Sequence, residues 1–545
     1  MTFHAAATLL ALAGMAQSIL ASGSAALACS ASTFASLTLN NIDITTLNVT
    51  TIHNYSTGSS GSTGTGGTGG VSVTSASTGT SASSADICLI GMTYTHPGQN
   101  DIVNTFIGLP LDVQDWNSRF LMNGGGGWYA GGENEVLEPV ISGYSSSSTD
   151  GGHNTSASTA DWGLASEGNT NWPALWDFAS TAIAEAAVLG KLATEIYFGS
   201  SPKYSYWNGC STGGRQGHAM AQKHPELFDG IVGGAPAINW DKFIPSEWWG
   251  ALNAQLLNIA PPSCVLEAFT NAAIEACDLL DGVKDSVIAY PGQCHFQASS
   301  LVGQSVTCSD PSGVITITKE MAKLVAAMWT GPRSAEGRFE WYGLHYDADL
   351  TGLLPTTCTS IDNCTVTPFS ISDDWVKVFL ARNSTFDTSS LTRQDYDRLF
   401  RDSVDQYASV IGTENPDLTD MKRAGTKMIA WHGMQDELIP TNGTVDYYRR
   451  ARAFDRDLED YYRFFLAPGV AHCGGGKGFD PSNTIFDTLR AWVENRTVPD
   501  RLEAVAAAVG PSNSSATRTA YLCPYPKLFT FTGGDPNSAS SFSCN

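Results

Sequence analysis

Apolar and polar positions alternate with a period of two along "ICLIGMTYT" and "DIVNTFIGLPL", as they do in half-buried strands. "SRFLMNGGGGWYAGG" reads as an apolar strand running into a glycine loop. "NWPALWDFASTAIAEAAVLGKLATEIYF" then changes to helical apolar spacing. "YSYWNG" predicts a strand, "GGRQGHAMAQKHPELF" a helix and "DGIVGGAPA" another buried strand. Strands alternating with helices point to a doubly wound, mostly parallel α/β sheet.

From about Ile238 to Asp417 the pattern breaks into irregular, cysteine-containing sequence with aromatic and turn clusters. It resumes in "GTKMIAWHG", a helix near "NGTVDYYRRARAF" and a strand in "DYYRFFLAPGV". The reading is a core in two parts, 23–237 and 418–545, split by an inserted domain over 238–417. Residues 56–84 are Gly/Ser/Thr-rich and almost uncharged, which predicts a flexible loop. The segment before that loop is too poor in apolar residues for a module of its own. The loop is therefore read as closed by a Cys29–Cys88 bond.

Candidate chemistry sits at the strand–helix junctions. Gly209-Cys210-Ser211-Thr212-Gly213 lies between a predicted strand and a predicted helix, the setting of a nucleophile elbow. Glycines permit the tight turn, and the Thr212 N–H at the helix start can face an oxyanion. A nucleophilic serine needs a base and a residue to orient it, and in this fold class the chain order is Ser, acid, His. Asp436 follows one strand in "MIAWHGMQDELIP", and His472 follows the next in "LAPGVAHCGGG". His432 precedes Asp436 and fits that order poorly. His218 and His224 lie on the helix after Ser211, where a solvated or capping role is expected. Cys210 adjoins the nucleophile and Cys473 adjoins the base, so a serine–histidine contact brings the two thiols within disulfide reach. In "NGGGG", Asn123 to Gly127, glycines allow backbone N–H groups to approach a carbonyl, with Gly125 and Gly126 the candidates for the second oxyanion donor.

Composition narrows the setting. A net charge of −23 argues against nucleic acid and anionic membranes as partners. An Ala/Leu-rich stretch from Ala5 to Ala21, followed by small residues, reads as a secretory signal over 1–22. It is short and rich in small residues for a membrane anchor. Twelve cysteines suit an oxidising compartment, and eight Asn-x-Ser/Thr sequons, at Asn48, Asn54, Asn154, Asn363, Asn383, Asn442, Asn495 and Asn513, favour an exported glycoprotein. Near-neighbour pairing suggests Cys264–Cys277, Cys294–Cys308, Cys358–Cys364 and Cys523–Cys544.

The constellation "WNSRFLMNGGGG", "GCSTGGRQG", "DGIVGGAPA", "WHGMQDELIP" and "GVAHCGGG" resembles the tannase/feruloyl esterase family over nearly the whole chain after Cys88. The resemblance implies an α/β-hydrolase core with an inserted lid. It implies Ser211 as nucleophile, His472 as base, Asp436 as its orienting acid and Cys210–Cys473 as a linking disulfide. "CDLLDGVKDSVI" gathers Asp278, Asp281 and Asp285 around a turn, a pattern that by residue type suits a solvated acidic turn as well as a hard cation. The resemblance implies structural calcium there, held by these carboxylates and the carbonyls of Val283 and Val287. No Cys/His spacing suggests zinc, and no organic cofactor is expected.

The expected activity is that of a secreted serine carboxylesterase. Its substrates are expected among small aromatic esters and plant polysaccharide or polyphenol esters, with feruloyl and other hydroxycinnamoyl esters ahead of galloyl esters. A non-catalytic binding protein on a hydrolase fold, and a lipase or peptidase, are the alternatives. The lid stretches "SEWWG", "MWTG" and "FEWYGLHY" offer aromatic rings for stacking on a phenolic acid.

Overall fold

The computed structural model describes residues 27–56, 84–154, 156–509 and 516–545. The expected leader over 1–22, nearly all of the 56–84 loop and the Asn513 sequon lie outside the described residues. One nine-stranded sheet is built from β1 (Asp43–Tyr55), β2 (Ala85–Thr95), β3 (Val103–Pro110), β4 (Arg119–Asn123), β5 (Ser145–Thr149), β6 (Tyr204–Cys210), β7 (Gly230–Gly234), β8 (Lys427–Gly433) and β9 (Tyr462–Ala467). Their order across the sheet is β1-β2-β3-β5-β4-β6-β7-β8-β9. The pairs β1/β2, β2/β3 and β3/β5 are antiparallel, and every pair from β5/β4 to β8/β9 is parallel.

The period of two places chain neighbours on opposite faces. Met122, Trp207, Ile231, Met428 and Phe464 pack on one face against α1 (Thr181–Phe198) and α2 (Thr212–Lys223). Leu121, Tyr206, Val232, Ile429 and Phe465 pack on the other, against the helix Ile485–Asn495 and the hairpin of Leu502–Ala507 with Thr517–Leu522. Both faces are thus covered, as a parallel sheet requires.

Between β7 and β8 no strand joins the main sheet. This segment begins with α3 (Trp240–Glu247) and includes α4 (Ser263–Cys277). Its apolar residues Phe243, Trp248, Phe269, Val325 and Trp375 share one core with Trp162, Leu175 and Phe178 from ahead of β6. The aromatic rings expected to stack on a ligand are largely in that core: Trp248, Trp249 and Trp341 are buried, while Phe339 is exposed.

The described cysteines form six disulfides. Cys29–Cys88, Cys210–Cys473, Cys358–Cys364 and Cys523–Cys544 are as expected. The other two exchange partners: the bonds are Cys264–Cys308 and Cys277–Cys294, not Cys264–Cys277 and Cys294–Cys308. Cys264 and Cys277 lie at opposite ends of α4. At 1.5 Å per residue they are about 20 Å apart, far beyond the ~7 Å Cα separation that a disulfide spans.

Candidate active site

β6 ends at Cys210 and α2 begins at Thr212, leaving Ser211 alone on the turn at φ 60° and ψ −123°. A non-glycine residue in that region is strained and must be held by its surroundings. The Ser211 N–H bonds Gly234 O, and Ser211 O accepts the Ala237 N–H, both at 3.0 Å. A Cβ on Gly209 would stand 2.5 Å from the backbone of Gly213, so only glycine permits the crossing.

Asp436 follows β8 and His472 follows β9, adjacent parallel strands whose carboxyl ends open on the same edge of the sheet. His472 Nδ1 donates to Asp436 Oδ2 at 2.8 Å, and the His472 N–H bonds Glu437 Oε2 at 3.0 Å. Burial alone would lower the His472 pKa. The charge and hydrogen bond of Asp436, with the charge of Glu437, outweigh burial and raise it. Asp436 is 1% exposed, yet the charge of His472 and the hydrogen bonds from both His432 and His472 overcome desolvation and hold it well below the usual carboxylate range.

Cys210 and Cys473 are bonded with their Cα atoms 5.8 Å apart, so the residues after one and before the other, Ser211 and His472, are brought side by side. No hydrogen bond joins Ser211 to His472 among the described residues.

The glycine loop departs from expectation in one respect. Gly125 N–H donates to Gln216 Oε1 at 3.0 Å, and Gly126 N–H donates to Tyr129 O at 2.9 Å. Both expected oxyanion donors are therefore already engaged. Gly126 and Tyr129 close a two-residue turn over Gly127 and Trp128, with Gly127 at φ 56°. The Gly127 N–H has no acceptor among the described residues, and Gly127 O accepts the Thr212 hydroxyl at 2.7 Å. Thr212, at the first helical position, likewise leaves its N–H without an intrahelical partner.

A sequence profile described as "Tannase and feruloyl esterase" matches residues 88–545. The chain belongs to the tannase and feruloyl esterase family. It is 40% identical over 468 residues to a probable feruloyl esterase of Arthroderma benhamiae, covering 84% of this chain and 86% of that one. It is 28% identical over 511 residues to a tannase of Aspergillus oryzae, covering 84% and 85% of the two chains. Its fold matches that of a tannin acyl hydrolase from Aspergillus niger with a TM-score of 0.81, at 24% identity and 95% coverage of each chain. The tannase and feruloyl esterase family consists of carboxylic ester hydrolases, in keeping with the serine, histidine and carboxylate gathered on one sheet edge.

Other singled-out residues fall away from this edge. Asp278 Oδ1 accepts the N–H groups of Asp285 and Ser286, Asp281 Oδ1 accepts that of Val283, and Asp285 Oδ1 accepts that of Val287. Asp285 Oδ2 also pairs with the buried Arg518 at 2.6 Å. Burial and the charges of Asp285 and Asp278 raise Asp281 to about 6. His218 is not solvated: it is buried between Gly214 O and the Tyr462 hydroxyl, and burial lowers its pKa to about 4. Two groups were missed by sequence reasoning. His432 reaches Asp436 Oδ2 at 3.0 Å. His96 lies among Asp101, Asp177 and Glu185 near the ends of β2 and β3. The Asp436 spacing to His432, four residues within "WHGMQD", was a usable signal; the His96 group has none.

Proposed function

We propose that this protein is an exported serine esterase for esters of phenolic aromatic acids, hydroxycinnamates of the feruloyl type first. The observation that carries the reading is the Cys210–Cys473 bond, which clamps Ser211 beside a histidine already paired with a buried carboxylate. Ser211 Oγ attacks the ester carbonyl as His472 Nε2 takes its proton. Asp436 keeps the Nδ1–H tautomer and stabilises the imidazolium. The N–H groups of Thr212 and Gly127 receive the oxyanion. His472 then returns the proton to the departing alcohol, and water, activated the same way, releases the acid from Ser211.

The preference for hydroxycinnamates is supported by the 40% identical probable feruloyl esterase. Galloyl esters are the second reading, supported by the tannase relative. In the oxyanion turn, a Cβ on Gly127 would meet the Ile371 side chain at 3.1 Å, so the segment between β7 and β8 stands as a lid over the acyl site. No helix among the described residues is long and apolar enough to cross a membrane. Export is supported by the six disulfides.

Calcium belongs to this reading as a structural ion. Asp278, Asp281 and Asp285, with the carbonyls of Val283 and Val287, form a hard oxygen donor set. A bound cation would offset the burial and the carboxylate charges that raise Asp281, and Asp285 is already paired with Arg518.

Initial rates on methyl ferulate, caffeate, p-coumarate and gallate, with Ser211→Ala as control, test the substrate class. Turnover of the cinnamates favours the first reading and turnover of gallate alone the second. Silence on all four, with Ser211 still labelled by a fluorophosphonate, keeps the mechanism and rejects both substrates.

A further inference from the structure

Asp436 carries two histidines on one oxygen. Oδ2 accepts from His472 Nδ1 at 2.8 Å and from His432 Nε2 at 3.0 Å, while Oδ1 accepts the backbone N–H groups of Leu438 and Ile439 at 2.9 and 2.8 Å. An ionised carboxylate only accepts, so His432 holds a proton on Nε2. Its Nδ1 is 2.9 Å from Thr444 Oγ1, and that hydroxyl satisfies the ring by donating to it. His432, Asp436 and Thr444 are 0%, 1% and 1% exposed, so no solvent competes for these bonds. The two amides already fix the carboxylate in place. The second histidine therefore has little left to do for position alone, and its effect falls on the oxygen it shares.

We propose that His432 is a positioning residue that sets the basicity of His472 through Asp436. Its N–H draws negative charge from Oδ2, the atom that stabilises the protonated His472 ring, and so keeps the base weaker than an unmoderated carboxylate would make it. The Thr444 hydroxyl satisfies the other ring nitrogen in this tautomer. The other ionisable groups facing the pair are Glu437, Glu247 at the end of α3, and His345, which lies beside Met434 and Asn442. Burial, then the charge of Asp436, pushes Glu247 well above the carboxylate range. Burial lowers His345 to about 4. No hydrogen bond is described from any of these three side chains to Oδ2, so only His432 shares the bonding atom.

The test compares His432→Met, which removes the donor, with His432→Gln, whose amide restores one. Two quantities are read: the acid limb of the kcat/KM–pH profile on methyl ferulate, and the low-field proton resonance of His472 Nδ1–H. In His432→Met the acid limb is expected to move to higher pH by about half a unit or more, and the resonance to shift. In His432→Gln both are expected to stay near wild type. A His432→Met enzyme with reduced kcat but an unmoved limb and resonance would reduce His432 to a packing residue and overturn the proposal. If His432→Met does not fold, His432→Phe keeps a ring in the site and removes the same donor. The same direction of shift is expected, and no shift in either quantity overturns the proposal. The kinetic arm rests on the esterase reading and the resonance does not. Absence of turnover on any ester would therefore reject that reading and leave His432 to be judged by the spectrum.

Discussion

The sulfur of Cys210 is bonded to that of Cys473 across 263 positions of sequence, and each cysteine is the chain neighbour of one reacting side chain. Ser211 and His472 are thus tied into one covalent unit, although they follow β6 and β9, which β7 and β8 separate in the sheet. Replacing both cysteines with alanine is expected to lower kcat and to cost stability, up to about 5 kcal/mol in the chain-entropy account of so long a loop. Urea unfolding and initial rates check this together. Unchanged values for both would remove the clamp from the mechanism.

Ser211→Ala is expected to lower kcat by about 10⁴-fold or more while the melting temperature stays near wild type. Residual turnover within tenfold of wild type would mean that another group is the nucleophile.

Gly209→Ala is expected to lose activity and about 1–3 kcal/mol of stability, because the new methyl meets the Gly213 backbone, which has no freedom to yield. Gly292→Ala, with nothing within 4 Å of the added Cβ, is the matched control. Equal stabilities of the two variants would contradict the close crossing.

Catalysis requires His472 unprotonated, and its pKa is raised above the ordinary 6.5 by Asp436 and Glu437. Activity is therefore expected to rise with pH through a midpoint above 6.5. Glu437→Gln removes one of the charges that raise it, so the midpoint should fall. A midpoint that rises instead would reverse the assigned electrostatics.

If calcium bridges Asp278, Asp281 and Asp285, chelation should lower the melting temperature and added calcium should restore it. Fluorophosphonate labelling of Ser211 should persist where the chelated protein is still folded. A melting temperature indifferent to both treatments would leave the turn held by Arg518 and backbone bonds alone.

The placement of Ser211, Asp436 and His472 was legible because each follows the end of a strand, and strand ends are marked by an apolar run giving way to glycine. Period-two alternation marked β2 and β3, and short apolar runs marked the parallel strands β4 and β6 to β9, which are buried on both faces. β1 was not legible: as an outer strand its residues are exposed or half-buried, and "DITTLNVTTIHNY" has no buried face to set a pattern. The pairing of Cys264 and Cys277 failed because closeness in sequence was taken for closeness in space, and a helix separates what it connects. The N–H groups of Gly125 and Gly126 are engaged by Gln216 and by a reverse turn that four equal letters do not reveal. His432 was set aside by chain order, which governs the triad but says nothing about a second layer behind the acid.

Asn442-Gly443-Thr444 has the letters of a glycosylation signal, yet it opens the helix Thr441–Phe454, and its Thr444 hydroxyl is spent on His432. The Asn442 side chain lies beside His345, and a Cβ on Gly443 would already stand 3.0 Å from Trp341. A sugar placed on Asn442 while the chain is still extended would have to be accommodated here, between the helix and the segment packed on it. Were the sequon used before this helix closes, the yield of active protein from a glycosylating host is expected to fall, and Asn442→Gln to restore it.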